Sequence, residues 1–303
     1  MQSALMPAQN ALPKLSPLRG WLPLVLLPGV VIFTPSSWPR WAFMWLLAFV
    51  IYAGAKWLTW RRTPATGVPW WRHAGYLLAW PGMDADAFLN SALSTERNRT
   101  KLREWLFPAA RALAGAILFW GAPRVVAEEH SLLIGWLGMI GLILMLHFGS
   151  FPLLCNAWRW IGVDAHPLMN RPLASVSVSE FWGRRWNTAF RDLTYRFLFR
   201  PLTAWVGPRW AIFLGFVFSG LVHDLVISIP SGGGYGWPTL FFVIQGAAMF
   251  VERSSFGRNV GLGRGFRGWA FTMAVLILPA FGLFHPPFVR NIILPFMRSF
   301  GAR

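Results

Sequence analysis

Ala211-Ile212-Phe213-Leu214-Gly215-Phe216-Val217-Phe218-Ser219-Gly220-Leu221-Val222 carries no charge and runs directly into His223-Asp224. The apolar stretch extends from 204 to 229, enough for a membrane-spanning helix, which needs about 20 mostly apolar residues. In hydrocarbon every backbone polar group must be paired within its own segment, so the run reads as a helix. An ionisable side chain at that depth is costly and marks a candidate functional site.

Outward from this run, similar apolar stretches lie at 21–33, 41–60, 105–121, 131–154, 238–251 and 269–284. A shorter one at 288–296 reads as re-entrant or interfacial. The expected fold is an all-α, polytopic integral membrane bundle of seven to nine membrane segments, with an interfacial amphipathic helix. Composition agrees: 13% of the 303 residues are charged, where a soluble domain would carry about twice that share. The 20 Trp and 26 Phe fit a chain with aromatic belts at the membrane boundary. The 21–33 run is followed by Thr34-Pro35-Ser36-Ser37-Trp38-Pro39-Arg40, with no small-x-small cleavage pattern, and reads as a retained first segment rather than a signal peptide. The division expected is a cytoplasmic N-terminal segment, 1–20, followed by one membrane-embedded domain, 21–303.

The net charge is +17. In a soluble protein this would point to nucleic acid. Here the Arg residues are spread among the connections between apolar runs and no nucleic-acid motif accompanies them, so no nucleic-acid partner is expected. The pattern fits the positive-inside bias and attraction to anionic membrane lipids. Arg61, Arg62 and Arg72 follow the second run. Arg159, Arg171, Arg184, Arg185, Arg191, Arg196 and Arg200 crowd the 156–203 connection, and Arg253, Arg258, Arg264 and Arg267 crowd 252–268, whereas 230–237 has no charge. This places the N-terminus and the Arg-rich connections in the cytoplasm, with a bacterial inner (plasma) membrane as the expected host. Cys155 is the only cysteine, which excludes an intramolecular disulfide and a Cys-based metal site. No His/Asp/Glu spacing resembles a metal site, so no metal is expected. His73, His130 and His166 read as solvated.

The 173–201 stretch reads as one amphipathic helix at the cytoplasmic face, capped by Ser177 or Ser179. Helical spacing puts Glu180, Arg184, Asn187 and Arg191 on one face and Trp182, Trp186 and Phe190 on another. Glu180 with Arg184, and Asp192 with Arg196, are i,i+4 pairs. On amphipathicity alone the segment is an interfacial helix with Arg among headgroups and Trp at the boundary. His223 has a different meaning. An imidazole titrates near neutrality and accepts a proton from a hydroxyl. The alternative is a helix-packing histidine bonded to a neighbouring carbonyl, a reading open also to His147, in Leu144-Met145-Leu146-His147-Phe148, which is likewise at depth; position alone does not decide between the two. No G-x-S-x-G elbow is present, so direct transfer fits better than a covalent intermediate on serine.

Two islands carry a family resemblance. Phe181-Trp182-Gly183-Arg184-Arg185-Trp186-Asn187 and Ser219-Gly220-Leu221-Val222-His223-Asp224 resemble the signature segments of the membrane-bound O-acyltransferases, most closely the wax synthase-like branch. The 239–252 stretch, ending in Glu252, is similar to the apolar helix that follows them. The likeness covers about 172–252. It implies an acyltransferase in which His223 and Asn187 are the catalytic pair, with acyl-CoA as co-substrate, a lipophilic alcohol or other hydroxyl acceptor as partner, and no tightly bound cofactor. The implied product is a wax ester or another neutral lipid ester, made by His general-base catalysis in a membrane tunnel. Trp182, Trp186, Arg184, Arg185 and Asp224 form the expected substrate-binding set, the two Arg attracting coenzyme A phosphates. The family pattern more often has Glu where this chain has Asp224. Three other readings stand beside it: an O-acetyltransferase of the same family acting on a small or terpenoid hydroxyl, from another class a transporter or channel using His223 and Asp224 as a proton path, and a non-catalytic lipid-binding scaffold. The absence of an internal repeat weighs against the transporter.

Overall fold

A computed structural model describes residues 17–31, 33–92 and 101–302. Residues 1–16 of the expected N-terminal segment lie outside it. The regular structure among the described residues is all helical, with no strand among them. Five helices are long and apolar enough to cross a membrane: Arg40–Arg61, Leu102–Val125, Glu128–Trp160, Thr188–Ser231 and Gly265–Leu283. The length requirement therefore counts five spans among the described residues, against the seven to nine expected. The first apolar run forms the Pro17–Val31 helix, which starts before residue 21 and contains Pro23 and Pro28. Only Gly20–Val31 of it is apolar, which is short for a span. The 238–251 run becomes the 17-residue helix Trp237–Arg253. The 288–296 stretch is helical and belongs to the core: Val289 and Ile292 are fully buried and pack with Ile134, Met139 and Met297.

Helix Arg40–Arg61 sets the molecule's two ends. Its 22 residues span about 33 Å at 1.5 Å per residue. At its start, Arg40 donates to the Ser231 carbonyl (2.9 Å). At the far end, Arg196 donates to the Arg62 carbonyl (2.8 Å) and to Thr63 Oγ1 (3.3 Å). The Arg-rich connection and the uncharged 231–236 turn thus lie at opposite ends of one helix. Between them, the Thr188–Ser231 span is broken at Gly207, whose φ of 76° and ψ of 165° only glycine adopts readily. Counting back from Ser231, His223 lies about 12 Å inside that end.

The 173–201 stretch is not one helix. After a single turn at Pro172–Ala174, a short helix starts at Val178, capped by Ser177 Oγ, which accepts from the Glu180 N–H (2.9 Å). It continues as a π-helical turn, Phe181–Arg185, and stops at Trp186. Asn187 then takes a left-handed conformation (φ 44°) and starts the next helix, Thr188–Thr194. Asparagine tolerates that conformation because its short amide bonds locally. The expected ion pairs change accordingly. Glu180 pairs with Arg185 at 2.7 Å rather than with Arg184, since five residues complete the wider turn. Asp192 pairs with Arg191 rather than with Arg196. Asn187 also leaves the face it was expected to share with Glu180, Arg184 and Arg191. His73 is likewise not a solvated loop residue: it lies in helix Trp70–Ala79 and accepts from Trp60 Nε1 at 2.9 Å.

Close helix approach depends on small residues, as is common in membrane bundles. A Cβ at Gly220 would lie 2.6 Å from Thr239 Cα, whereas one at Gly215, on the same helix, would meet nothing within 4 Å. Gly220→Ala is therefore expected to destabilise the purified protein by about 1–3 kcal/mol through overpacking, with Gly215→Ala staying within about 0.5 kcal/mol of wild type. Thermal unfolding in detergent measures both, and equal effects would contradict this account of the helix contact.

Candidate functional site

His223 is the last residue of helix Arg200–His223, and the chain continues as a π-helical turn, Asp224–Ser228. Its Nδ1 lies 2.7 Å from the Ser219 carbonyl oxygen, one turn back. A carbonyl only accepts, so the proton sits on Nδ1 and Nε2 keeps its lone pair. The half-buried ring rests 4.4 Å from the Phe242 ring centroid.

Asp224 faces another way. Oδ1 accepts from Ser228 Oγ (2.8 Å) and the Gly236 N–H (2.8 Å). Oδ2 accepts from the Thr239 N–H (3.0 Å) and, at very short range, from the Thr239 hydroxyl. The carboxylate thus sits at the N-terminus of helix Trp237–Arg253, where exposed N–H groups and the helix dipole favour negative charge. Ser228 Oγ also lies 3.2 Å from Nε2 of the buried His285, whose Nδ1 accepts from the Phe288 N–H.

Helix Trp237–Arg253 links the two islands through one face. Phe242 meets His223. Three residues on, the fully buried Gln245 accepts from Trp182 Nε1 (3.3 Å) and donates to the Val275 carbonyl (2.9 Å). Seven residues further, Glu252 accepts from the Val178 N–H at 2.6 Å. Arg253 Nε donates to Ser179 Oγ (3.1 Å). Positions three, four and seven apart lie on the same side of a helix, which is why one face reaches both islands.

A line of rings runs from one island to the other. Phe242 lies 5.5 Å from Trp182, Trp182 5.0 Å from Phe181, and Phe181 stacks on Trp186 at 5.6 Å. Trp186 in turn stacks on His147 at 5.8 Å with the planes 14° apart. Asn187 follows immediately. Its Oδ1 accepts from the Phe190 N–H (3.2 Å), the bond that caps a helix start. This fixes the amide, and Nδ2 makes no hydrogen bond to another described residue. Arg185 is committed: it bonds Glu180 Oε1 through Nε (2.8 Å), and its Nη1 reaches the Asn170 and Arg171 carbonyls. Burial works against ionisation of Glu180, but the Val176 N–H and the Arg185 guanidinium outweigh it and hold the carboxyl below its usual range. Arg184 is exposed and makes no hydrogen bond or ion pair among the described residues.

The structure therefore joins His223, Phe242, Trp182 and Trp186 in one contiguous wall, with Asn187 at its end. Asp224 and Arg185 are engaged with the protein itself. His147 stacks on the residue before Asn187, a tertiary contact that sequence periodicity does not encode. A cleft of about 420 Å³ lies elsewhere, lined by Thr59, Thr63, Asp84, Asp192, Arg196 and Arg200. No group of three His, Cys, Asp or Glu side chains able to hold a metal occurs among the described residues.

Residues 165–244 match the family described as the Membrane bound O-acyl transferase family, a segment holding both Asn187 and His223. The chain is 33% identical over 143 residues to the long-chain-alcohol O-fatty-acyltransferase of Simmondsia chinensis, covering 43% of this chain and 40% of that protein. It is 30% identical over 144 residues to the probable long-chain-alcohol O-fatty-acyltransferase 9 of Arabidopsis thaliana, covering 43% and 42%. It is 27% identical over 158 residues to acyl-CoA–sterol O-acyltransferase 1 of the same plant, covering 46% and 44%. The chain thus spans about two fifths of the length of these curated relatives. The helical architecture and the apolar spans define a polytopic integral membrane protein. These matches make the segment that carries both islands similar to the membrane-bound O-acyltransferase family and to its long-chain-alcohol-esterifying members.

The clamp formed by Asp224 generates a prediction. Asp224→Asn turns one acceptor oxygen into an NH₂ group facing N–H donors and is expected to cost about 0.5–2 kcal/mol, the range for a lost helix cap. Amide exchange at 236–240 should accelerate. Unchanged exchange there would contradict the clamp.

Proposed function

We propose that this protein is an acyl-CoA-dependent O-acyltransferase that esterifies a lipophilic alcohol, forming a wax ester or related neutral lipid ester. The reading rests on two pre-set polar groups at the ends of one line of rings, His223 against Phe242 and Asn187 directly after Trp186. His223 has Nδ1 tied to the Ser219 carbonyl and Nε2 left as a base. Asn187 has Oδ1 tied to the Phe190 N–H and its NH₂ left as a donor.

In the proposed reaction, the alcohol oxygen attacks the thioester carbonyl carbon while its proton passes to His223 Nε2. The negative charge developing on the carbonyl oxygen is met by the Asn187 amide N–H, in the manner of an oxyanion hole. As the tetrahedral species collapses, the C–S bond breaks and coenzyme A leaves as the thiolate, which recovers the proton from His223. No acyl-enzyme forms. Holding two reactants together away from water supplies much of the rate. Trp182 and Trp186 line the acyl chain's path in a tunnel between the islands. Asp224 acts through position, fixing the start of the helix whose Phe242 backs His223. The exposed Arg184 meets the phosphates of coenzyme A, with Arg185 holding the loop through Glu180. The N-terminus and the Arg-rich connections face the cytoplasm of a bacterial cell, so acyl-CoA enters from that side and the alcohol arrives laterally from the bilayer. The alcohol and sterol acceptors in the relatives' names support a lipophilic hydroxyl as acceptor.

An untargeted lipid profile of cells expressing wild type and His223→Ala tests the proposal. Wild type should add an ester class, and the variant should reduce it by about 10²–10⁴-fold, the usual contribution of a general base. An unchanged ester class in the variant would overturn the assignment of His223. In membranes, Arg184→Ala should raise the apparent KM for acyl-CoA while leaving kcat within about twofold, as expected for an interaction equally strong in ground and transition states. An unchanged KM would contradict the phosphate contact.

A further inference from the structure

We infer that His147 is a second hydrogen-bond donor to the thioester carbonyl of the bound acyl donor, completing with Asn187 a two-donor cradle. The inference rests on the acyltransferase reading above and adds a residue to it.

Three observations meet at this residue. First, among the described residues only two buried side-chain polar atoms have no hydrogen-bond partner: Arg72 Nε and His147 Nδ1. An unpartnered buried polar atom costs roughly 1–3 kcal/mol, and such exceptions call for a specific reason. Second, the ring is stacked on Trp186 and touches Phe151 at 5.3 Å, so it is held in one orientation beside the residue that precedes Asn187. Third, His147 sits in a π-helical stretch, Leu144–Ser150. Such turns recur at functional sites, and this is one of five among the described residues. This one is supported at both faces. Ser150 Oγ donates to the Met145 carbonyl (2.9 Å), five residues back. A Cβ at Gly149 would lie 2.7 Å from the Ala112 side chain, and one at Gly115 2.9 Å from Met145 N. The neighbouring helix thus leaves the widened turn no room to revert, and the widening sets which way the imidazole points.

The tautomer follows from the surroundings. Nδ1 is sealed among apolar neighbours, where an N–H without an acceptor is worse placed than a lone pair, so the proton belongs on Nε2. The ring as a whole is only half-buried, and Nε2 makes no hydrogen bond among the described residues. An Nε2–H group on a ring fixed by Trp186, the residue before Asn187, is a donor that can serve the same carbonyl oxygen. A packing role for His147 explains the stack but neither the orphaned nitrogen nor the widened turn.

The test uses binding of two unreactive acyl-CoA analogues to the full-length protein in detergent or nanodiscs. One keeps the carbonyl as a ketone (a 2-oxoalkyl-CoA) and the other lacks it (an S-alkyl-CoA of equal length). His147→Phe keeps an aromatic ring in the stack and removes both nitrogens. His147→Leu serves as a second variant should the first not fold, with folding checked by thermal unfolding. Wild type should favour the ketone, and the variant should lose about tenfold in affinity for the ketone alone, the scale of one hydrogen bond. Equal losses for both analogues, or no loss, would overturn the inference while leaving acyl-CoA binding intact. Failure of wild type to bind either analogue would overturn the acyltransferase reading and this inference with it.

Discussion

Helix Trp237–Arg253 is held by a carboxylate at each end, and the arrangement of the site depends on that double attachment. At its start Asp224, from the neighbouring span, accepts the Gly236 and Thr239 N–H groups. At its end the helix's own Glu252 accepts the Val178 N–H. The buried Val178 N–H and the part-buried Thr239 N–H would otherwise lack a partner at a cost, while the Gly236 bond lies at the exposed rim. Because one attachment involves the segment carrying His223 and the other the segment carrying Asn187, the helix fixes the distance between two islands 36 residues apart in the chain. Gln245 adds a third tie midway, through Trp182.

Five widened helical turns occur among the described residues, and three of them adjoin candidate chemistry: one holds His147, one is Phe181–Arg185, and one begins directly after His223, whereas Tyr195–Phe199 and Val289–Ile293 carry none. An inserted residue changes which side chains share a face, and it frees backbone groups that need other partners. The Glu180–Arg185 pair and the Ser150–Met145 bond are two such local arrangements. The same widening accounts for pairs that i,i+4 spacing does not anticipate.

Much of the helical architecture was legible because burial in lipid enforces long apolar runs, and the 204–229 run with His223 is the clearest of them. The placement of His223 at depth followed from that run alone. Gly220 stands in the second island, and only the structure shows that Thr239 of the neighbouring helix approaches it. The break at Asn187 was not legible: its left-handed backbone depends on a cap to Phe190 and on contacts with the 168–170 segment, where Thr188 N donates to the Leu168 carbonyl. Asp224 was visible as a charge beside His223, but its partners come from a different helix, so its role as a clamp needed tertiary structure. The count of spans differs from the expected seven to nine because the 21–33 and 238–251 runs form helices below the length of a span, Gly20–Val31 and the 17-residue Trp237–Arg253.

The central claim is that His223 and Asn187 face a single reaction centre across the helix Trp237–Arg253. The most direct measurement is an experimental structure of the full-length protein with an unreactive acyl-CoA analogue bound. The account predicts the carbonyl oxygen within about 2.7–3.2 Å of Asn187 Nδ2, with the reacting carbon open to His223 Nε2. An analogue whose carbonyl lies in the cleft lined by Thr59 and Arg196, or whose reacting carbon is walled off from His223, would contradict it.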